Sequence, residues 1–417
     1  MKQLLKRSIK VALIYTSLLA VLALMNVPAN AADTEVDLIK KGEYLVRVGD
    51  CVSCHTVTDK KAFAGGHAMR TPFGTLYTPN ITSDEQTGIG KWTFEHFWQA
   101  LHHGKGYSGE ILYPAFSYTS YTKVTREDAF AIYTYLQSVP AIRQKNREHD
   151  LSFSFNIRST LHAWRLLYFT AAEYQPDNNQ SDEWNRGAYL VTGLGHCNEC
   201  HTTRNALGAM DQKPPLAGGQ IPIQGWYAPD LSMQTGGGLE GWEKAEVIKL
   251  LKTGLSAKGG AIGPMADVVR NSTQYMTDSD LNAVAVYLAS LPAPVVKPTP
   301  VITQALDYAL GQKIYAQHCE SCHGQQGQGV DGIYPILAGN PTVTEPTGIN
   351  AIRSVLLGGF SVATQENSEP YSMPPFAAQL NSGEVAAVVN YIRQSWGNNA
   401  APVLTSEVAK ARSLPQR

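Results

Sequence analysis

Three stretches of the chain carry apolar and aromatic side chains at three- and four-residue spacing behind a capping residue. They run from Thr125-x-x-Asp128 to Tyr135-Leu136, from Thr277-x-x-Asp280 to Tyr287-Leu288, and from Asn381-x-x-Glu384 to Tyr391-Ile392. A Ser, Thr or Asn followed three residues later by an acid, ahead of a helical apolar stripe, marks a capped amphipathic helix. Stripes of this kind pack against another helix as core. A further pattern, "NIRSTLHAWRLLYF" (156–169), places Ile157, Leu161, Trp164 and Tyr168 on one helical face. That face either packs on a neighbouring domain or forms a surface for a partner protein or the membrane interface, with Arg158 and Arg165 available to headgroups.

At the N-terminus an apolar run from Val11 to about Met25 follows Lys2, Lys6, Arg7 and Lys10 and precedes Ala29-Asn30-Ala31. This is the layout of a secretory signal peptide over residues 1–31, with a retained anchor as the alternative. No later stretch is apolar for long enough to span a bilayer. Removing the four basic residues takes the formal net charge from −1 to about −5. A mildly acidic chain without a basic run excludes nucleic acid as a partner. At 417 residues, two to four domains are expected.

Six cysteines in an exported chain suggest disulfides until their spacing is read. They occur as Cys51-Val-Ser-Cys54-His55, Cys197-Asn-Glu-Cys200-His201 and Cys319-Glu-Ser-Cys322-His323. C-x-x-C-H is the pattern of covalent heme c attachment. Two thiols one helical turn apart both form thioethers, and the next residue, histidine, reaches the iron. A lone C-x-x-C reads as a redox pair or half a zinc site, but here each is followed by His and none is paired with another. The expectation is three covalently bound heme c, with His55, His201 and His323 as proximal ligands.

Aligned on these motifs, the chain repeats itself. "GEYLVRVGDCVSCHT" (42–56) matches "GAYLVTGLGHCNECHT" (187–202), and "GQKIYAQHCESCHG" (311–324) is a more distant third. The first two copies stay parallel: Ala64-Gly65-Gly66 answers Ala217-Gly218-Gly219, the segment around Pro79 answers that around Pro229, and Trp92 and Trp242 precede Gly104 and Gly254 by the same interval. The third copy has Tyr334-Pro335 and a short helix ending near Gly358. The predicted organisation is a first domain over 36–142, a linker with the amphipathic helix over 143–180, a second domain over 181–293, a proline-rich linker over 294–303, a third domain over 304–399 and a charged tail over 400–417.

Methionine opposite histidine fills the sixth iron position and raises the potential, which suits electron transfer. Met265 and Met373 each sit in a loop before the closing helix and are read as axial ligands; Met276 competes with Met265. The first copy has Phe116 in the corresponding place. Its iron is therefore either five-coordinate or ligated from elsewhere, with Met69, His102 and His103 as candidates.

The segments "TPFGTLYTPNIT", "ILYPAFSY", "RGAYLVTGLGHCNECHTTRNALGA", "GWYAPDLS" and "NSTQYMTDSDL", with the three cysteine motifs, resemble the triheme cytochrome c subunit of membrane-bound bacterial dehydrogenases. That family serves quinoprotein alcohol dehydrogenases and flavin-dependent gluconate, sorbitol and fructose dehydrogenases. The resemblance implies an all-α fold of three tandem class I-like cytochrome c domains, and a relay from a flavin- or quinone-dependent dehydrogenase catalytic subunit to ubiquinone. It also implies a place on the periplasmic side, peripheral to the membrane surface. It makes Pro79 and Pro229, and more loosely Pro335, the carbonyls that orient the proximal histidines. The family usually reads "LYPAM" where this chain has Phe116. Two other functions compete: a heme enzyme acting on peroxide at an open first heme, and a relay for a molybdenum hydroxylase or a terminal oxidase.

Overall fold

The computed structural model describes residues 29–211, 214–221, 223–292, 307–360, 362–368 and 370–414. Nearly all of the predicted signal peptide and the whole 294–303 linker lie outside the described residues. No described helix is long and apolar enough to cross a membrane.

One arrangement occurs three times. In the first unit the leading helix (Ala29–Val48) runs into a short helix holding the cysteine motif (Cys51–His55), followed by a middle helix (Phe94–His103) and a closing helix (Arg126–Ser138). The second unit repeats this with Asp182–Tyr189, Asn198–His201, Lys244–Thr253 and Asp278–Ala289, and the third with Tyr308–His318, Glu320–His323, Ile349–Leu357 and Ser382–Gln394. Gly104, Gly254 and Gly358 end the three middle helices at φ 58°, 81° and 69°, a region glycine enters without steric cost.

Leading and closing helices cross backbone against backbone in every unit. A Cβ built at Gly42 would overlap the carbonyl oxygen of Ala131, one at Gly187 that of Ala283, and one at Gly311 that of Ala387. The glycine three residues before an aromatic or apolar core position is therefore what lets the predicted stripes meet. The caps form as expected: Thr125 accepts from the Asp128 amide, Thr277 from that of Asp280, and Asn381 and Glu384 complete a reciprocal capping box.

Helices dominate, but each unit adds short antiparallel pairs that the all-α expectation lacked. Ala68–Thr71 pairs with Gly74–Tyr77, Ala217–Ile221 with Trp226–Asp230, and Val330 bridges Tyr334. Each pair ends at or beside the proline that faces the cysteine motif, so these strands position the site.

The first two units share one core, in which Leu45, Leu101 and Ile132 join Tyr189, Leu194 and Leu281. Their contact is reciprocal. Asp128 takes an ion pair from Lys41 of its own unit and a hydrogen bond from Tyr189 of the second; Asp280 takes one from Arg186 of its own unit and one from Tyr44 of the first. The cap acids thus serve the interface instead of reaching back to their own helix starts. The third unit has a separate core around Ile314, Ile352, Val388 and Ile392.

The connector helix spans Thr160–Tyr168. Leu161 is buried, and Trp164 donates from Nε1 to the Leu207 carbonyl at 2.9 Å, so these two members of the predicted face pack inward. Arg158 and Arg165 are not free for headgroups: they donate to the carbonyls of Ile111 and His103. Ile157 and Tyr168, the other two members of that face, are exposed, as are Leu166 (87 %), Leu167 (68 %) and, just upstream, Phe153 (85 %). The predicted C-terminal tail is a docked helix, Thr405–Ser413, with Val408 and Ala411 buried.

Candidate heme-attachment sites

The cysteine motifs sit at the exits of the leading helices, where a turn of helix holds both thiols and the histidine. The residues just before the first two motifs, Asp50 and His196, adopt left-handed backbone (φ 52° and 42°) and break the leading helix so that a new one starts at the cysteine. Sequence reasoning missed them; the signal was a Gly directly followed by a polar residue before each Cys.

The histidine geometry is the same three times over. Nδ1 of His55 lies 2.8 Å from the Pro79 carbonyl oxygen, that of His201 2.7 Å from Pro229, and that of His323 3.0 Å from Pro335. A carbonyl only accepts, so each Nδ1 carries the proton and each Nε2 keeps its lone pair. Burial pushes the His55 imidazole down to about 4 against the lift from Pro79, and lowers His201 and His323 in the same way. All three rings are neutral donors at neutral pH. Burial also pushes the thiols of Cys51, Cys54, Cys197 and Cys319 up to about 12. None of the six cysteines forms a disulfide, so every thiol is available to a thioether. Paired thiols with an oriented neutral imidazole are the donor set that heme c requires, and the residues fit that group.

The two attachment motifs of the shared core are neighbours: Tyr121 donates its hydroxyl to the Gly49 carbonyl, two residues before Cys51, and stacks its ring 5.2 Å from that of His196, next to Cys197. Asp50 is held by the Ser53 hydroxyl, and burial raises its carboxyl to about 7. Ser53 also accepts from Asn271 of the second unit at 2.8 Å.

Of the predicted axial residues, Met265 is half-buried against Ala261, Val269 and Val362, and Met373 lies in a two-residue strand paired with Gly359. Met276 is in the shared core at 4 % exposure, which accounts for it as packing. Phe116 packs on the shared core beside Tyr121. Met69 sits on the hairpin opposite Leu76, and His102 stacks on Trp98.

Comparison with known proteins agrees with this geometry. The cytochrome c family model matches residues 39–140 and 308–396, the first and third units. The alcohol dehydrogenase (quinone) cytochrome c subunit of Gluconacetobacter polyoxogenes is 36% identical over 95% of this chain and 88% of its own length. The gluconate 2-dehydrogenase cytochrome c subunit of Pantoea cypripedii is 38% identical over 94% and 93%. The fructose dehydrogenase cytochrome subunit of Gluconobacter japonicus is 34% identical over 90% and 82%. With thiols and imidazoles arranged for covalent heme c and relatives of this kind along nearly its full length, the chain belongs to the family of cytochrome c subunits of bacterial dehydrogenases.

Proposed function

We propose that this chain is a triheme relay. It takes electrons from the catalytic subunit of a flavin- or quinone-dependent dehydrogenase acting on an alcohol, sugar or sugar acid, and delivers them to membrane ubiquinone. One observation carries the reading: a neutral histidine oriented by a proline carbonyl beside two thiols, repeated three times in one chain. Heme c, when bound, supplies reversible one-electron chemistry. The chain's part is to orient the imidazoles and to hold the first two sites against each other through one core.

The axial set completes the relay. Met265 and Met373 would be the sixth ligands of the second and third hemes; both are half-buried ahead of the closing helices, Met265 on the helix Pro264–Asn271 and Met373 in a two-residue strand, neither in the loop expected. Thioether ligation keeps both potentials high enough to receive electrons from an oxidised substrate's carrier. The substrate is oxidised in the partner, so the chain has no catalytic residue of its own.

The reading places the mature protein on the periplasmic side, peripheral to the membrane. The layout of residues 1–31 supports export, and the exposed Phe153, Phe155, Ile157, Leu166, Leu167 and Tyr168 support contact with the bilayer surface, since large apolar side chains gathered in one exposed connector mark an interaction surface.

The test uses membranes containing the protein, given gluconate, fructose, sorbitol, ethanol and simple aldehydes one at a time. Reduction of the heme c band by one of them, reversed by a ubiquinone analogue, is the expected result. No reduction by any, with the hemes still reducible by dithionite, would remove the relay from these substrates.

A further inference from the structure

We infer that the first heme site leaves the iron position opposite His55 open to an external ligand, and that a small neutral diatomic molecule fits it. This rests on the proposed heme at Cys51, Cys54 and His55.

The register between units comes from backbone hydrogen bonds. After the middle helix the chain returns to pair with the glycine that ends it: Leu112 donates to the Gly104 carbonyl and Ala261 to the Gly254 carbonyl, each at 2.8 Å. Four residues beyond Leu112 is Phe116, and four beyond Ala261 is Met265. The two residues occupy one place in the repeated frame, and a phenyl ring has no lone pair to give a metal. Phe116 is also seated at its own unit's attachment motif. Its ring lies 5.6 Å from that of Tyr121, whose hydroxyl donates to the Gly49 carbonyl at 2.9 Å, two residues before Cys51.

The three candidate substitutes are held elsewhere. Met69 has its backbone fixed on the hairpin strand opposite Leu76. His102 is the strongest rival, because it is buried and its Nδ1 has no hydrogen-bond partner among the described residues. Its ring, however, lies flat on Trp98, with centroids 4.4 Å apart and planes within 9°. Trp98 is covered in turn by the Arg126 guanidinium, which is tied to Glu95. That stack occupies the flank of the middle helix facing Arg126 at the start of the closing helix, and holds the His102 ring there. His103 stands edge-on to His102 in the same group.

The surroundings select the ligand. Phe116 is apolar and the Tyr121 hydroxyl is committed to Gly49, so neither offers a proton. Cleavage of a peroxide needs a general acid and base beside the iron, and neither residue here serves. A neutral diatomic molecule needs only the open position and an apolar face.

The experiment is a titration of the dithionite-reduced triheme holoprotein with carbon monoxide, followed optically, with the ferric spin states read by electron paramagnetic resonance. Pyridine hemochrome counting with peptide mapping first establishes three hemes per chain; a lower count with heme present at Cys51 and Cys54 would fail the triheme relay and not this inference, whereas a chain without heme there would overturn both. The expected result is one carbon monoxide bound per three hemes and one high-spin ferric heme. Phe116→Met should abolish carbon monoxide binding and leave all three hemes low-spin. The inference is overturned by a wild-type protein that binds none and is wholly low-spin; carbon monoxide binding gained by His102→Ala or Met69→Leu would then identify the ligand. It is equally overturned if Phe116→Met binds as much as wild type. Should that variant fail to load heme, the wild-type stoichiometry and spin state decide alone.

Discussion

Gly42, Gly187 and Gly311 invert an ordinary rule. Replacing a helical glycine by alanine normally stabilises by about 1 kcal/mol, because alanine loses less backbone freedom. At these positions the added Cβ would overlap a carbonyl of the closing helix, which cannot swing aside as a side chain can. Each Gly→Ala change is expected to destabilise by about 1–3 kcal/mol, the range for overpacking a tight core; urea unfolding of the holoprotein measures it, and a gain in stability would show that the helices are free to separate. The methionines divide the same way. Met276→Leu is a volume-conserving core change, costing under about 1.5 kcal/mol and leaving the heme spectrum unchanged. Met265→Ala, on the proposed ligation, should open a second heme to carbon monoxide and lower its potential. The cysteines and histidines were legible in the sequence because covalent attachment fixes their spacing, whereas Pro79 and Pro229 came only from the family resemblance. Asp50 and His196 were not, since a left-handed φ at a non-glycine residue is set by the packing on either side of it.

Elements read well where one helix meets another inside a unit and poorly where units meet. The closing helices were visible as stripes with caps, yet nothing in the periodicity said that the cap acids Asp128 and Asp280 would be bound from the opposite unit. That pairing depends on a long-range arrangement that no local window contains. Asp280 gives it a testable pH signature. Burial raises its carboxyl, but the hydrogen bonds from Arg186 and Tyr44 and the Arg186 charge outweigh that and hold it below its ordinary 3.8. A lowered folded-state value means that the stabilisation is complete above the unfolded value and is lost as pH falls through the folded one. Asp280→Asn should therefore cost ~1–3 kcal/mol at pH 7, towards the low end because water screens the Arg186 side. The gap between variant and wild type should begin to narrow below about pH 4 and close as pH falls through the lowered folded value. The connector helix carries the second element-scale test. Its predicted face was half right: Leu161 and Trp164 pack inward, while Ile157 and Tyr168 of the same face are exposed, and Leu166 and Leu167, off that face, are more exposed still. Leu166→Ser with Leu167→Ser removes apolar surface that touches no core. Co-sedimentation with anionic lipid vesicles should fall severalfold with the thermal transition unmoved; unchanged sedimentation would assign the bilayer contact to another surface.

At the scale of the whole molecule, three repeats in sequence do not make three equal bodies. The first two units bury their apolar side chains in one core and clasp each other through two tyrosine–aspartate bonds with their cations. The third is joined to the second more thinly. Asn350 exchanges two hydrogen bonds with the Tyr227 backbone, Arg353 lies over Trp226 at 5.0 Å, Gln365 meets Gln274, and a small cluster gathers Val362 with Ala261 and Val269. Contacts of that size and polarity resemble a transient interface between domains, whereas a shared core binds its members into one cooperative unit. The holoprotein should therefore unfold in two calorimetric transitions, one for the first two units together and one for the third. The glycine variants assign them. Gly42→Ala and Gly187→Ala, although in different repeats, should lower the same transition, and Gly311→Ala the other. A single transition lowered by all three would mean that the thin interface couples the units as firmly as the shared core does. Should Gly42→Ala and Gly187→Ala each lower a transition of its own, the reciprocal tyrosine–aspartate clasp would be too weak to join the first two units. The proposed relay would then pass electrons between bodies that loosen separately, with nothing in the fold to hold the first two attachment sites at a fixed separation.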